Sequence, residues 1–278
     1  PFIPPAELGG ILAYFDKKEY LMTATIKKFL VIFLSVGVLL SGTALANDKP
    51  LKVFIFAGQS NMVGAGANVS DLPEDLKRDQ KMALFFDGTK WVSLAPGKTE
   101  RKGFGPEISF SRKLSMEIKE PIGIIKHSVA GTNLAQHWSP ANPKSLYRKL
   151  LKKVTAARQT RRTKMVGMIW MQGESDSLDK NMAEAYSKNL ADFIQASRVD
   201  FKSPVMFFVA GRVNPPKDRF PYVGIVRKAQ EECKAPGYAF LDCDALEKIR
   251  GRLHYSTRGL VDMGYRFADT MLMLMEKK

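Results

Sequence analysis

The stretch Phe54–Gly66, FIFAGQSNMVGAG, decides how the rest of the chain is read. An apolar run stops at a glycine, and a serine follows between two amides in a turn of small residues. Turns use Gly, Ser and Asn for backbone reasons alone. The sharper reading makes Ser60 a nucleophile lifted to the end of a buried strand. The choice depends on what surrounds that strand.

Outward from it, short β-rich runs alternate with helical patterns. Strands are expected at 51–57, 122–126, 165–171, 205–210 and 238–242. Helices are expected at 105–119, 146–159, 181–198, 222–233 and 258–276. The β-runs are almost unbroken in Val, Ile, Phe and Met, as strands buried on both faces should be. Five such strands separated by helices imply a mostly parallel five-stranded sheet in a three-layer α/β/α sandwich. Residues 67–104 fit the alternation poorly and are expected to be an excursion with a small hairpin at Asp87-Gly88. Sites on open parallel sheets lie beyond the carboxyl ends of the strands. The loops to search are therefore 58–66, 128–143, 172–179, 211–216 and the segment before Tyr255.

The first residues read differently. Met22 opens MTATIKKFLVIFLSVGVLLSGTALA, with a basic start, an apolar run from Phe29 to Leu40 and a small-x-small site at Ala44–Ala46. This is the layout of a secretory signal peptide, with cleavage expected after Ala46. The apolar run falls short of the roughly 20 residues of a bilayer span, so no stable membrane anchor is expected after cleavage. Residues 1–21 read as upstream sequence rather than structure. The expected organisation is 1–21, a leader at 22–46 and a single domain at 47–278, in a secreted or periplasmic protein. Cys233 and Cys243 flank a short turn, and a disulfide or two thiols both fit, because spacing does not fix Cβ geometry. No Cys/His cluster has metal-ligand spacing.

The net charge is +15, and a positive field favours anionic partners. For an exported chain that points to acidic glycans rather than nucleic acid. The densest basic run, RKLLKKVTAARQTRRTK at 148–164, carries one apolar stripe and reads as a solvated helix face or an anion-binding surface.

There are three histidines, so the search for a general base is short. His254 lies in RLHYSTRG, after the last strand and before the last helix. His127 follows a strand directly, and His137 sits in GTNLAQHWSP. A second polar cluster is IWMQGESDS, 169–177. Glu174 and Asp176 follow an apolar strand there. Asp176 and Ser177 suit a helix cap, which Glu174 precedes, and Gln172 offers an amide donor for an oxyanion.

GQSN, FGPEISF, SVAGTNLAQHW, QGESD, AYSKNL and the closing HYSTRGLVDMGYRFA, in this order through 51–273, resemble the SGNH hydrolases. The narrower resemblance is to the sialate O-acetylesterase-like group, which includes acetylxylan esterases of carbohydrate esterase family six. It implies a flavodoxin-like sandwich and a metal-free, cofactor-free serine esterase. By this resemblance Ser60 is the nucleophile and His254 the general base. The Ser60 and Gly105 N–H groups and the Gln172 side chain form the oxyanion hole. Gln59, Asn61, Thr132, Asn133, Trp138 and Asp176 shape the substrate pocket. One departure stands out. The family's Asp-x-x-His pattern reads Gly251-Arg252-Leu253-His254 here. Either a Ser-His dyad operates or another acid serves, with Glu174 first and Asp176 and Asp244 behind it. Milder departures are Met171 for the usual His and Ala130 for the usual second Gly.

The expected function is exported carbohydrate O-acetylesterase, acting on acetylated oligo- or polysaccharides through an acetyl-serine. A weakened glycan-binding member of the fold, or an esterase for non-sugar acyl groups, is the alternative.

Overall fold

Residues 51–58 form the strand β1, the centre of the sheet. The computed structural model describes residues 49–100, 103–250 and 253–277. The expected leader, the segment before it and Gly251 lie outside the described residues. The other strands are β2 (Gln80–Phe86), β3 (Trp91–Leu94), β4 (Ile122–Ser128), β5 (Thr163–Met171), β6 (Phe207–Arg212) and β7 (Tyr238–Asp242). The helices are α1 (Ser60–Val63), α2 (Glu74–Lys77), α3 (Glu107–Ile118), α4 (Leu146–Thr160), α5 (Lys180–Asp200), α6 (Val223–Glu231) and α7 (Thr257–Glu276).

The strand order is β3-β2-β4-β1-β5-β6-β7. Every pairing is parallel except that of β2 with β3. The sheet thus has seven strands rather than the expected five. The hairpin foreseen at Asp87-Gly88 is β2–β3, and β2 joins the main sheet beside β4. Its turn is held by Asp87 Oδ1, which accepts the Thr89 and Lys90 N–H groups at 2.8 and 2.9 Å. A four-residue edge strand and a mixed-burial partner carry too weak a pattern to read as sheet members.

Strand β1 packs both faces. Phe54 and Phe56 meet Phe110 of α3 edge-on. On the opposite side of the sheet, Trp170 of β5 meets Phe193 of α5 with ring centroids 4.5 Å apart. Helices on both faces complete the three layers. The chain leaves β1 toward β4 on one side and later returns to β5 on the other. That places a topological switch point between β1 and β5, where the loops beyond the strand ends part to form a crevice. The Ser60 turn and the 172–179 loop border it.

Three helices start on side-chain caps that also fix these loops. Ser145 accepts the Arg148 N–H, Asp179 the Met182 N–H, and Ser256 the Gly259 N–H. The Ser256 cap opens α7 two residues after His254. Cys233 and Cys243 are free thiols, and burial pushes the Cys243 thiol up to about 12.

Candidate active site

Ser60 is the first residue of α1, at the carboxyl end of β1, and is 6% exposed. Gln59 N–H still pairs with Met171 O of β5, while Met62 and Val63 N–H return to Gln59 O. The chain therefore leaves the sheet and coils within one residue. The first N–H groups of a helix have no partner inside it. The Ser60 N–H makes no hydrogen bond among the described residues.

The 253–256 segment faces this turn. Gly66, with φ +107°, lies so close that a Cβ there would stand 3.3 Å from His254 Cβ and 2.8 Å from Tyr255 O. A side chain at 66 would push the histidine segment off the serine turn. Ile249 N–H donates to His254 O at 3.0 Å, and Ser256 N–H to Glu247 O at 3.0 Å. His254 is half-buried, and burial, then the Arg219 charge, hold its imidazole below the usual histidine range. It is accordingly the neutral, proton-accepting form that prevails at neutral pH. No hydrogen bond joins Ser60 Oγ, His254 and Glu174 directly among the described residues.

Glu174 lies beneath the serine turn, 2% exposed. Its Oε1 accepts from Asn61 Nδ2 at 2.7 Å. The Gln59 amide satisfies both its ends when its nitrogen donates to Glu174 Oε2 (3.3 Å) and Thr132 O (3.0 Å). The two amides flanking Ser60 thus converge on one carboxylate. Burial raises the Glu174 pKa.

Asp176 also titrates above its usual range because it is buried. It is a structural acid. It accepts Leu134 and Ala135 N–H at 2.9 and 3.2 Å and Gln172 Nε2 at 2.6 Å, tying the loop after β4 to the loop after β5. Asp244 is committed elsewhere, to Arg227 and Arg212 at 2.7 Å. The Arg227 hydrogen bond leads the causes that hold its carboxyl low.

Several residues expected at the substrate surface are instead framework. Gln172 is fully buried, and its Nε2 is spent on Thr132 O and Asp176. The Gly105 N–H, expected in the oxyanion hole, donates to Glu107 Oε1 at 3.0 Å. Trp138 has no exposed surface; it packs edge-on against Trp170, and its Nε1 donates to Thr132 Oγ1 at 3.0 Å. Thr132 in turn donates to Val129 O. Asn61 is 1% exposed and faces inward. Asn133 Oδ1 caps the Gln136 and His137 N–H groups, while its Nδ2 keeps no partner among the described residues. His137 Nδ1 accepts the Asn133 N–H within its own loop, and His127, in β4, lies beside Glu100 at 3.6 Å.

The sequence reading missed one buried pair. Lys126 Nζ and Glu107 Oε2 meet at 2.8 Å with neither side chain exposed. A Cβ on Gly105 would stand 2.9 Å from Lys126 Nζ and 2.5 Å from Met62 O. The pair therefore props the Gly105 loop against α1. A lysine inside an apolar strand run, IGIIKHS, was its only signal.

Beside the histidine segment, Asn214–Lys217, Gly224, Arg227 and Lys248 line a cavity of about 540 Å³. Among the described residues, no group of three or more His, Cys, Asp or Glu side chains is placed to hold a metal ion.

A family model described as carbohydrate esterase, sialic acid-specific acetylesterase matches residues 50–273. A probable carbohydrate esterase of Arabidopsis thaliana is 25% identical over 245 residues, covering 80% of this chain and 91% of the relative. A solved structure from the same plant covers 81% of this chain and 99% of its own, at 22% identity and a TM-score of 0.72. A carbohydrate acetylesterase from Xanthomonas citri matches at 18% identity and a TM-score of 0.63, covering 82% of this chain and 57% of its own. NanS matches at 15% identity and a TM-score of 0.63, covering 82% and 98%. These solved structures share the fold. The family match runs through the loops that carry Ser60, Glu174 and His254, and so the chain belongs to the carbohydrate esterase, sialic acid-specific acetylesterase family.

Proposed function

We propose that the protein hydrolyses acetyl esters on sugar hydroxyls through an acetyl-Ser60 intermediate. The observation that carries this reading is the packing of the His254 segment on the Ser60 turn at the β1/β5 switch point. His254 takes the Ser60 proton as Oγ attacks the acetyl carbonyl. The oxyanion that forms is met by the free Ser60 N–H. His254 then protonates the departing sugar oxygen. Water, deprotonated by the same imidazole, cleaves acetyl-Ser60 and releases acetate.

Ser60 and His254 need not be hydrogen-bonded before substrate arrives, because catalytic hydrogen bonds often tighten only when substrate is bound. Lys217, Arg227 and Lys248 around the adjacent cavity, with the net charge of +15, favour an acidic glycan. The leader pattern of residues 22–46 supports export to the periplasm or beyond the cell.

Acetate release from a panel of acetylated glycans, neutral and acidic, tests the reading; acidic glycans should be turned over best. A second reading is a glycan-binding protein without turnover, favoured by the glycine at position 251. It requires glycan binding with no acetate released from any member of the panel. Faster cleavage of long-chain acyl esters than of acetyl esters would instead favour a non-sugar esterase.

A further inference from the structure

Asn61 directly follows the serine and is almost fully buried, yet each polar atom of its side chain engages a distant part of the chain. Nδ2 donates to Glu174 Oε1 at 2.7 Å and to Leu253 O at 3.3 Å. Oδ1 accepts the Tyr255 N–H at 3.3 Å. Leu253 and Tyr255 are the two residues that bracket His254. One planar amide therefore holds the backbone on both sides of the histidine relative to the turn that carries Ser60. Glu174 holds that amide in turn, with its second oxygen on Gln59, and makes no hydrogen bond to the imidazole. Three residues before His254, where the Asp-x-x-His pattern of the family it resembles has an acid, the sequence has glycine.

We propose that Asn61 is the positioning residue for His254, and that Glu174 acts on the histidine through the Asn61 amide rather than as its direct partner. The proposal rests on the esterase reading above. The two bonds to the flanking peptides orient the Cα–Cβ vector of His254, which no ring hydrogen bond does among the described residues. Without them the segment retains its own contacts, the Ile249–His254 bond and the Ser256 cap, but loses its tie to the serine turn. A misplacement of about 1 Å at a reacting group can cost about 10²-fold in rate.

A carboxylate that works through an amide needs only an acceptor oxygen. A carboxylate that stabilises the imidazolium needs its charge, and its amide replacement loses about 10⁴-fold in an enzyme where that role is known. Glu174→Gln separates the two, because a glutamine carbonyl still accepts from Asn61 while the Gln59 amide turns over.

The test uses the full chain, 4-nitrophenyl acetate as substrate, and an NMR titration of His254, one of only three histidines. The variants are Asn61→Ala, Glu174→Gln and Glu174→Ala. Asn61→Ala should lower kcat about 10²-fold with KM little changed. It should also raise the His254 pKa toward the ordinary value of about 6.5 as the segment loosens into solvent. Arg219, Lys248, Glu174, Glu247 and Arg258, charged groups near the segment among the described residues, are unchanged in that variant, so the shift reports packing. Glu174→Gln should stay within about 3-fold of wild type, whereas Glu174→Ala should match Asn61→Ala. The double Asn61→Ala/Glu174→Ala variant should be no worse than either single, because the two act as one unit.

An unchanged titration and kcat in Asn61→Ala, or a loss in Glu174→Gln as large as in Glu174→Ala, overturns the proposal. If Asn61→Ala does not fold, the Glu174 pair decides by the same criteria. A wild type that releases no acetate defeats the esterase reading alone. The His254 titration needs no turnover and still rules on Asn61.

Discussion

Asn61 Nδ2 and Glu174 Oε1 are 2.7 Å apart although 113 residues separate them in the chain. That contact answers why amides flank the serine. Asn61, and Gln59 once its amide is turned, both reach one buried carboxylate, and the serine sits between them at the carboxyl end of β1.

Ser60→Ala removes the only hydroxyl in this turn. Acetate release from 4-nitrophenyl acetate should fall to background in that variant while its melting temperature stays near that of wild type. Esterase activity surviving in a folded Ser60→Ala protein would place the nucleophile elsewhere.

The half-buried imidazole of His254 titrates below its usual value, through burial first and Arg219 second. A general base must be neutral, so its activity falls as pH drops through the folded pKa. The acid limb of the kcat/KM profile should therefore have its midpoint below about 6.5. Arg219→Gln should move that midpoint upward. A limb centred above neutrality would mean that another group limits the reaction.

Much of the fold was legible in the sequence because four central strands are largely buried on both faces and leave nearly unbroken apolar runs. The β2–β3 edge was not, since its hairpin announces a turn but not the strand it pairs with. Ser60 and His254 could be singled out by residue type and loop position. What their neighbours do could not. Gln172, Thr132, Trp138 and Asp176 have the chemistry of pocket residues, yet the Gln172 Nε2, the Thr132 hydroxyl, the Trp138 indole N–H and the Asp176 carboxylate are engaged with one another and with backbone groups. Those partnerships are long-range in the chain or depend on rotamer, and local pattern carries neither.

Glu174 gives a pH-dependent stability signature. Its pKa is raised in the folded state by burial, above the unfolded value of about 4.3. The folded protein therefore holds that proton more tightly. The resulting stability is fully present below the unfolded pKa and is lost as pH rises through the folded one. Glu174→Gln stays neutral and keeps an acceptor for Asn61. Its melting temperature relative to wild type should rise with pH above about 4.3 and level off once pH passes the folded pKa. A difference that is flat with pH would show that the Glu174 charge is fully compensated in the fold.

Lys126 and Glu107 test whether the loop beneath α1 depends on charge or on shape. Their 2.8 Å contact is sealed from solvent, and Glu107 also accepts the Gly105 N–H. Removing one member of such a pair leaves the other charge buried and uncompensated, at a cost of about 3–5 kcal/mol. Lys126→Met should lose that amount in a denaturant titration. Lys126→Met/Glu107→Gln removes both charges, and the glutamine carbonyl can still receive the Gly105 N–H. Because the desolvation of both ions is then relieved, the double variant should recover most of the loss. Any esterase rate should recover with it, since the Gly105 loop abuts Met62 O in the helix that carries Ser60. If the double variant is as unstable as the single, the lysine stem, rather than its charge, supports the loop.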